Sequence, residues 1–509
     1  MTFLTLLPIA AILLCLIVFK FSVVKSGTIA LTTALVIAVG FFGITGLGLL
    51  TASGKALWLS LFVSLIVWNA MLLYHLVSGF GAIEVINRNL TLLLKDRFVA
   101  FLLLGWLFTG LLQGIAGFGI PAVIVAPILI SLGFPPLKAL MAAILGHSWA
   151  VTFGSMGAAF YVMHGITDIP VEELGYPMWM FNMVTILCNG LGVCFIYDGF
   201  KGIKRGISYV LPTALVMFAV QFFTMRFGMY SLGTINTALA GVTTMFLLYK
   251  LRNKSGEKLV MYKSELNLLQ SVLPYALILV LLLSFQLIPA EIRNNAALAP
   301  SFPETQTSLA EPHIAAAETK YNPLRLFVHP ALVLVIAAIV ACGIYKKAGI
   351  WKKEVFNTAV KQTIKKGIPA TLALLAFGHM SLIMMDSGMM LMLAESVAKV
   401  TGGFYPIAAP FVGVLATFLT GNNTNSNVMF GSFQFAVARE LGLSGAVMSA
   451  AQSVSGGLGC SVASTLVYMA ALATKQAENV SVVLKKLIPI VLIIAGIMGI
   501  VNYIVINLV

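Results

Sequence analysis

The chemistry in this sequence is concentrated in one run: Gly421, Asn422, Asn423, Thr424, Asn425, Ser426 and Asn427. Consecutive amide and hydroxyl side chains cannot face lipid, where each unsatisfied polar group costs several kcal/mol. They also compete with the backbone for helical hydrogen bonds, so a break is expected here. A broken backbone with amides around it offers carbonyls to a cation and N–H donors to a carboxylate. Downstream, Ser449, Gln452, Ser453 and Gly456 fall at i, i+3, i+4 and i+7, one face of a helix. Earlier in the chain, Ser148, Thr152 and Ser155 form a comparable stripe with His147 beside it, preceded by a glycine run containing Gly117 and Gly119. One polar stripe from each half suits a binding site between them. Two plainer readings stay open: a surface loop for the amide run, and close helix packing for the glycines.

The elements that must position these groups follow from composition. Of 509 residues, 60% are hydrophobic and 9% are charged, against roughly a quarter charged in a soluble domain. This excludes a single water-soluble fold and a disordered chain. The apolar runs are long and continuous, which excludes a barrel of alternating strands and predicts an all-α polytopic membrane protein. Several runs are too short or too polar to cross alone. The expectation is therefore about 12 to 14 crossings, with the remainder as half-helices or re-entrant hairpins.

Two stretches look alike. LFTGLLQGIAGFG (107–119), LGF (132–134) and ALMAAILGHSWAVTFGS (139–155) are echoed by LATFLTGNNTNSN (415–427), LGL (441–443) and AVMSAAQSVSGGLGCS (446–461). Threading the apolar runs alternately places 23 of the 31 Lys and Arg residues on one side. By the positive-inside rule that side is cytoplasmic, and both termini face out. The two stretches then run in opposite directions, as inverted repeats do when broken helices meet an anion at the bilayer midplane. The expected organisation is an N-terminal half (1–288) with its break region at about 107–157, an external polar connection (289–328), and a C-terminal half (329–509) with its break region at about 404–461. Lys55 is placed on the external side, and a short surface helix is expected within the connection at 309–319. The net charge of +14 thereby reports loop orientation and not a nucleic-acid partner. Cys15, Cys188, Cys194, Cys342 and Cys460 lack the spacing of a disulfide framework or zinc site. The apolar first 19 residues lack a basic lead and a cleavage site, so they read as a retained first helix.

The chain resembles the bacterial lactate permeases. The residues that carry the resemblance are GIAGFGIP (114–121), LGFPPLKA (132–139), AVTFGSMG (150–157), IYDGFKGIKRG (196–206), YPIAAPFVGVLATFLTG (405–421) and the SN-x-x-FG-x-x-Q run (426–434). The resemblance implies a symporter in the cytoplasmic membrane for lactate and related 2-hydroxy monocarboxylates, usually proton-coupled, and kinship with transporters built from inverted repeats. The sequence departs from that pattern at His147 to Val151, at Asn423, where the family carries Asp, and at Cys460 to Leu466.

An ionisable group at membrane depth is a functional candidate. Asp386 is flanked by the longest apolar runs, and His379 lies seven residues earlier on the same helical face. With His147 they are the coupling-ion candidates; packing histidines and a helix-end Asp386 are the plain alternatives. Lys138 and Arg439 follow the short helices and suit the interface. An intramembrane enzyme is the competing class, but no histidine follows residue 379 to serve the Gly442-Leu443-Ser444-Gly445 serine. A channel is the third class, and two dissimilar halves favour a carrier.

The sequence thus predicts an importer, not an enzyme, of a small organic anion, with lactate leading and a dicarboxylate or sulfonate as alternative. The expected substrate site comprises Gly117, Gly119, His147, Ser148, Thr152, Ser155, Gly421 to Asn427, Ser449, Gln452 and Ser453. No metal or cofactor is expected beyond a proton or sodium as coupling ion. The expected partners are the anion and membrane lipid, with no nucleic acid, and a homodimer stays open.

Overall fold

Ten described helices are long and apolar enough to cross a membrane, or up to eleven with the bent pair Pro136–Ala150 and Gly154–Thr167 taken as one span. These come from a computed structural model that describes residues 2–19, 21–92, 96–117, 119–252, 265–286, 288–309, 312–327 and 329–508. Lys20, Lys95, Phe118 and the basic stretch 253–264 lie outside the described residues. The count differs from the 12 to 14 expected because Val171–Arg226, counted once, folds back at Asp198 and Gly199 into two arms, and because some apolar runs are half-helices. Ile120–Ser131, for example, has 12 residues, about 18 Å of helix against a hydrocarbon core of about 30 Å.

In the first half, α1 (Gly46–Gly79) is capped by Thr45, whose Oγ1 accepts from Gly48 N at 3.1 Å. Lys55, expected in a loop, is inside this helix and 4% exposed; the turn before the helix is Gly43 to Thr45. Next, α2 (Arg97–Ile115) and α3 (Ile120–Ser131) form a helical hairpin with Gly117 and Gly119 at its tip. Arg97 Nη2 closes the base by donating to Gly133 O at 2.9 Å. A turn leads to α4 (Pro136–Gly146), a break, and α5 (Gly154–Thr167). The long α6 (Val171–Arg226) folds back at Asp198 and Gly199. Its arms run antiparallel, with Trp179 Nε1 donating to Phe218 O at 2.9 Å and Asn182 Nδ2 to Gln221 Oε1 at 3.1 Å.

A hairpin, a helix and a break recur later in the chain. After α7 (Lys353–Asp386), α8 (Tyr405–Thr420) and α9 (Asn423–Glu440) form a hairpin with its tip at 421–422. The Tyr405 hydroxyl ties its base by donating to Gln434 Oε1 at 2.7 Å. Then follow α10 (Gly445–Gly459), a break at 460–463, α11 (Ser464–Ala473) and α12 (Val480–Ile506).

Both hairpins end in the same cap. Leu132 N donates to Ile128 O and Phe134 N to Leu129 O, while Leu441 N donates to Val437 O and Leu443 N to Ala438 O. Gly133 at φ 80° and Gly442 at φ 66° supply the left-handed residue this cap requires. Packing is exchanged between the halves: α3 lies on α11 as α9 lies on α5, and α4 meets α12 as α10 meets α6.

Among the described residues of the connection, the helix expected at 309–319 is not present. The described residues there are extended, with β2 and β3 paired inside an outer pair, β1 and β4. The strands are β1 (Ala297–Leu298), β2 (Thr305–Gln306), β3 (Ile314–Ala315) and β4 (Leu324–Arg325). Antiparallel pairing satisfies these backbone groups without a helix. The segment is docked on the helices: the Tyr321 hydroxyl donates to Gly165 O at 3.0 Å and Trp58 Nε1 to Asn322 O at 2.9 Å. All five cysteines are free.

Candidate functional site

The two breaks face each other across a cavity of about 30 Å³. The first half lines it with Gln113, Gly119, His147, Val151, Gly154, Ser155 and Ala159, the second with Gly421, Asn422, Asn423, Thr424, Cys460 and Leu466. Seven of the residues singled out from sequence meet here: Gly119, His147, Ser155 and Gly421 to Thr424.

On the first side the site is shaped by backbone conformation. Ser155, Met156 and Gly157 are left-handed in succession, at φ 48°, 57° and 82°. For L-residues with a side chain this costs about 1–2 kcal/mol each, so the neighbours must enforce it. Gly117, itself at φ 60°, is one of them: a Cβ there would lie 1.7 Å from Ser155 Oγ. Trp149, in the short turn 148–150 that precedes the left-handed stretch, donates from Nε1 to Trp106 O at 3.2 Å. His147 is fully buried, with Nδ1 3.1 Å from Ala143 O and Nε2 without a partner. The Nδ1 contact places the proton of a neutral ring on that nitrogen and leaves Nε2 as an acceptor.

On the second side the site is shaped by side-chain hydrogen bonds. Gly421, at φ 82°, ends α8. Asn422 caps α9, its Oδ1 accepting from Asn425 N at 2.9 Å. Asn423 Nδ2 donates to Ser453 O at 2.9 Å, leaving Oδ1 buried and unpartnered. Asn427 Nδ2 joins the halves, donating to Ser453 Oγ at 2.8 Å and to Ala159 O at 3.0 Å. Behind them runs a relay in which Gln452 Nε2 donates to Ser426 Oγ at 3.2 Å and Gln434 Nε2 to Gln452 Oε1 at 3.0 Å. Ser426, Asn427, Gln452 and Ser453 thus support the site from behind the cavity wall.

The remaining candidates are placed as follows. Ser148 Oγ accepts from Asn189 Nδ2 at 2.7 Å and donates to Leu145 O. Thr152 Oγ1 and Ser449 Oγ are buried without partners, outside the cavity lining, and Asn425 is 3% exposed. The structure does not bring Asp386 or His379 to the cavity. His379 Nδ1 contacts its own helix at Leu375 O. Asp386 ends α7 in a buried cluster, where Lys55 Nζ lies 2.8 Å from Glu318 Oε1 and 3.5 Å from Asp386 Oδ2. Lys138 Nζ donates to Tyr197 O, and Arg439 stacks over Phe435.

Sequence reasoning missed Gln113, the one amide in an otherwise apolar turn of α2, whose Oε1 is buried and unpartnered. Gln113, His147 and Asn423 thus each line the cavity and each carry a buried acceptor without a partner, at Oε1, Nε2 and Oδ1. The starts of α3, α9 and α11 adjoin the same space through Gly119, Asn422 and Leu466. Helix starts leave backbone N–H groups free and carry partial positive charge. No group of three or more His, Cys, Asp and Glu suited to a metal occurs among the described residues.

Apolar spans and paired breaks around one small cavity suit a multi-pass membrane transporter, and the family to which the chain belongs is one of permeases and not of enzymes. The chain belongs to the L-lactate permease family, whose profile matches residues 2–509. It is 27% identical to an L-lactate permease of Streptococcus iniae over 74% of this chain and 78% of that one. It is 26% identical to the glycolate permease GlcA of Escherichia coli K12, over 98% of this chain and 94% of the other. The solved YdaH transporter of Alcanivorax borkumensis superposes with a TM-score of 0.45 at 12% identity, covering 87% of this chain and 85% of that one. Family membership and ten apolar spans make this a plasma-membrane protein that transports a small organic anion.

Proposed function

We propose that the protein imports L-lactate, or a related 2-hydroxy monocarboxylate, by proton symport and alternating access. The observation that carries this reading is the pairing of helix starts with open acceptors around one cavity. The helix starts suit a carboxylate. Gln113 Oε1 and Asn423 Oδ1 suit the donor hydroxyl of a 2-hydroxy acid, which a plain carboxylate lacks. The names of the relatives, lactate and glycolate permeases, point to the same chemistry. His147 is the proton carrier in this reading: protonated at Nε2, it turns from an acceptor into a charged donor for the carboxylate. At about 30 Å³ the cavity holds roughly one water, so binding widens it. This suits a site that forms fully only when substrate enters.

Sodium is the second reading. Asn423 Oδ1, Thr417 Oγ1 and Ser426 Oγ lie 2.2, 3.2 and 3.2 Å from the point where Gly456 would carry a Cβ, and neutral oxygens suit a monovalent cation. Uptake of labelled L-lactate into proteoliposomes under an imposed pH or sodium gradient separates the two, with a dicarboxylate and a sulfonate as comparison substrates. Accumulation driven by the pH gradient alone supports the proton; accumulation that requires sodium replaces it.

The halves act in this proposal as inverted repeats, an arrangement supported by the matched caps and the exchanged packing. Cysteines introduced as Ser131→Cys and Glu440→Cys, beside the two hairpin turns, should then react with impermeant reagents from opposite faces. Labelling of both from one face would remove the inversion.

A further inference from the structure

A second cavity, of about 420 Å³, opens beside the tip of the first hairpin, in the size range of small-molecule sites. One wall is α3 at Ile120 and Val123, directly after Gly119 of the central cavity; the facing walls are α1 at Tyr74 and His75 and α7 at Thr358, Gln362 and Lys366. His75 is 5% exposed and its Nε2 has no partner. Lys366 is exposed, lies within electrostatic reach of His75, and has no ion-pair partner among the described residues. Glu354 also lines the cavity, but twelve residues along α7 put it roughly 18 Å from Lys366. The cavity therefore has an acidic outer end and a cationic inner end. An ammonium and an unpartnered imidazole nitrogen at one end of a space that readily admits lactate are complementary to a single carboxylate.

We infer that His75 and Lys366 form a carboxylate subsite, separate from the central cavity, that the substrate occupies on the side of the cytoplasmic basic turns. This rests on the carrier reading above. A monocarboxylate leaving the central cavity at Gly119 meets Ile120 and Val123 next. Lys366 then holds the carboxylate as a charge, and His75 Nε2 fixes its orientation.

The test is sided kinetics with the full-length protein in right-side-out and inside-out membrane vesicles, using labelled L-lactate. For Lys366→Met, losing one charge-assisted contact should raise the cytoplasmic KM about tenfold or more, with the external KM unchanged. His75→Phe, which keeps the ring volume, should move the same constant in the same direction. Lys366→Arg should restore it, which a merely misfolded variant would not show. An unchanged cytoplasmic KM in Lys366→Met, or an equal rise at both faces, overturns the subsite while the carrier reading stands. Absence of L-lactate exchange by the unmodified protein overturns that reading and the subsite with it.

Discussion

The two hairpin tips solve one problem by different means. Each must interrupt a helix inside a membrane without leaving backbone groups bare. The first tip does it sterically: Gly117 and Gly119 take positive φ, and the side chain missing from Gly117 makes room for Ser155 on the left-handed turn opposite. The second tip does it with hydrogen bonds: Asn422 caps α9, Asn423 ties to α10, and Asn427 reaches across to α5. A steric device fails abruptly when an atom is added, whereas a bonded device weakens one contact at a time. The halves should therefore differ in how they respond to small substitutions.

The largest effect is expected from Gly117→Ala. The new Cβ would fall 1.7 Å from Ser155 Oγ at a backbone angle that disfavours it, so the left-handed turn must unwind and transport should be abolished. Normal uptake by Gly117→Ala would break the steric account of the first tip. His147→Gln comes next. It keeps a polar side chain but cannot hold a charge, so pH-driven accumulation should disappear while exchange of L-lactate across the membrane continues. Accumulation equal to wild type would remove His147 from coupling.

The break at Gly421 and Asn422 was legible in sequence because seven neighbouring residues share one physical problem, although Asn423 to Asn427 continue as the first turns of α9. The membrane class followed from run lengths by the same logic. Gln113 was hidden because a single amide in an apolar helix gives no periodic signal. Lys55 and Asp386 were misleading for a related reason. Run boundaries placed Lys55 in a loop, and apolar flanks singled out Asp386, yet the two meet across helices far apart in sequence. The strands of the connection are two residues each, too short for any alternation to register, and only long-range pairing defines them.

At the amide tip, Asn422→Ala should cost about 1 kcal/mol, the usual loss for an N-cap. The thermal midpoint in detergent should fall by a few degrees, with transport reduced only several-fold, because Asn423 and Asn427 keep their bonds. Complete loss of transport would mean that the second tip is as brittle as the first and would erase the contrast between them.

The smallest effect on transport is expected from Asp386→Asn. Asp386 is remote from the cavity along α7: Ser381, a turn and a half before it, already pairs with Ser432, nine residues beyond Asn423 on α9. Removing one member of a buried ion pair is usually severe because it strands the other charge. Here Lys55 retains Glu318 at 2.8 Å, so no charge is stranded, and the variant should lose roughly 1 kcal/mol of stability, the scale of one hydrogen bond. The KM for L-lactate and the response to a pH gradient should match wild type. If Asp386→Asn instead abolishes pH-driven uptake, the proton path runs through the outer charge cluster rather than His147, and the connection carrying Glu318 becomes part of the transport machinery.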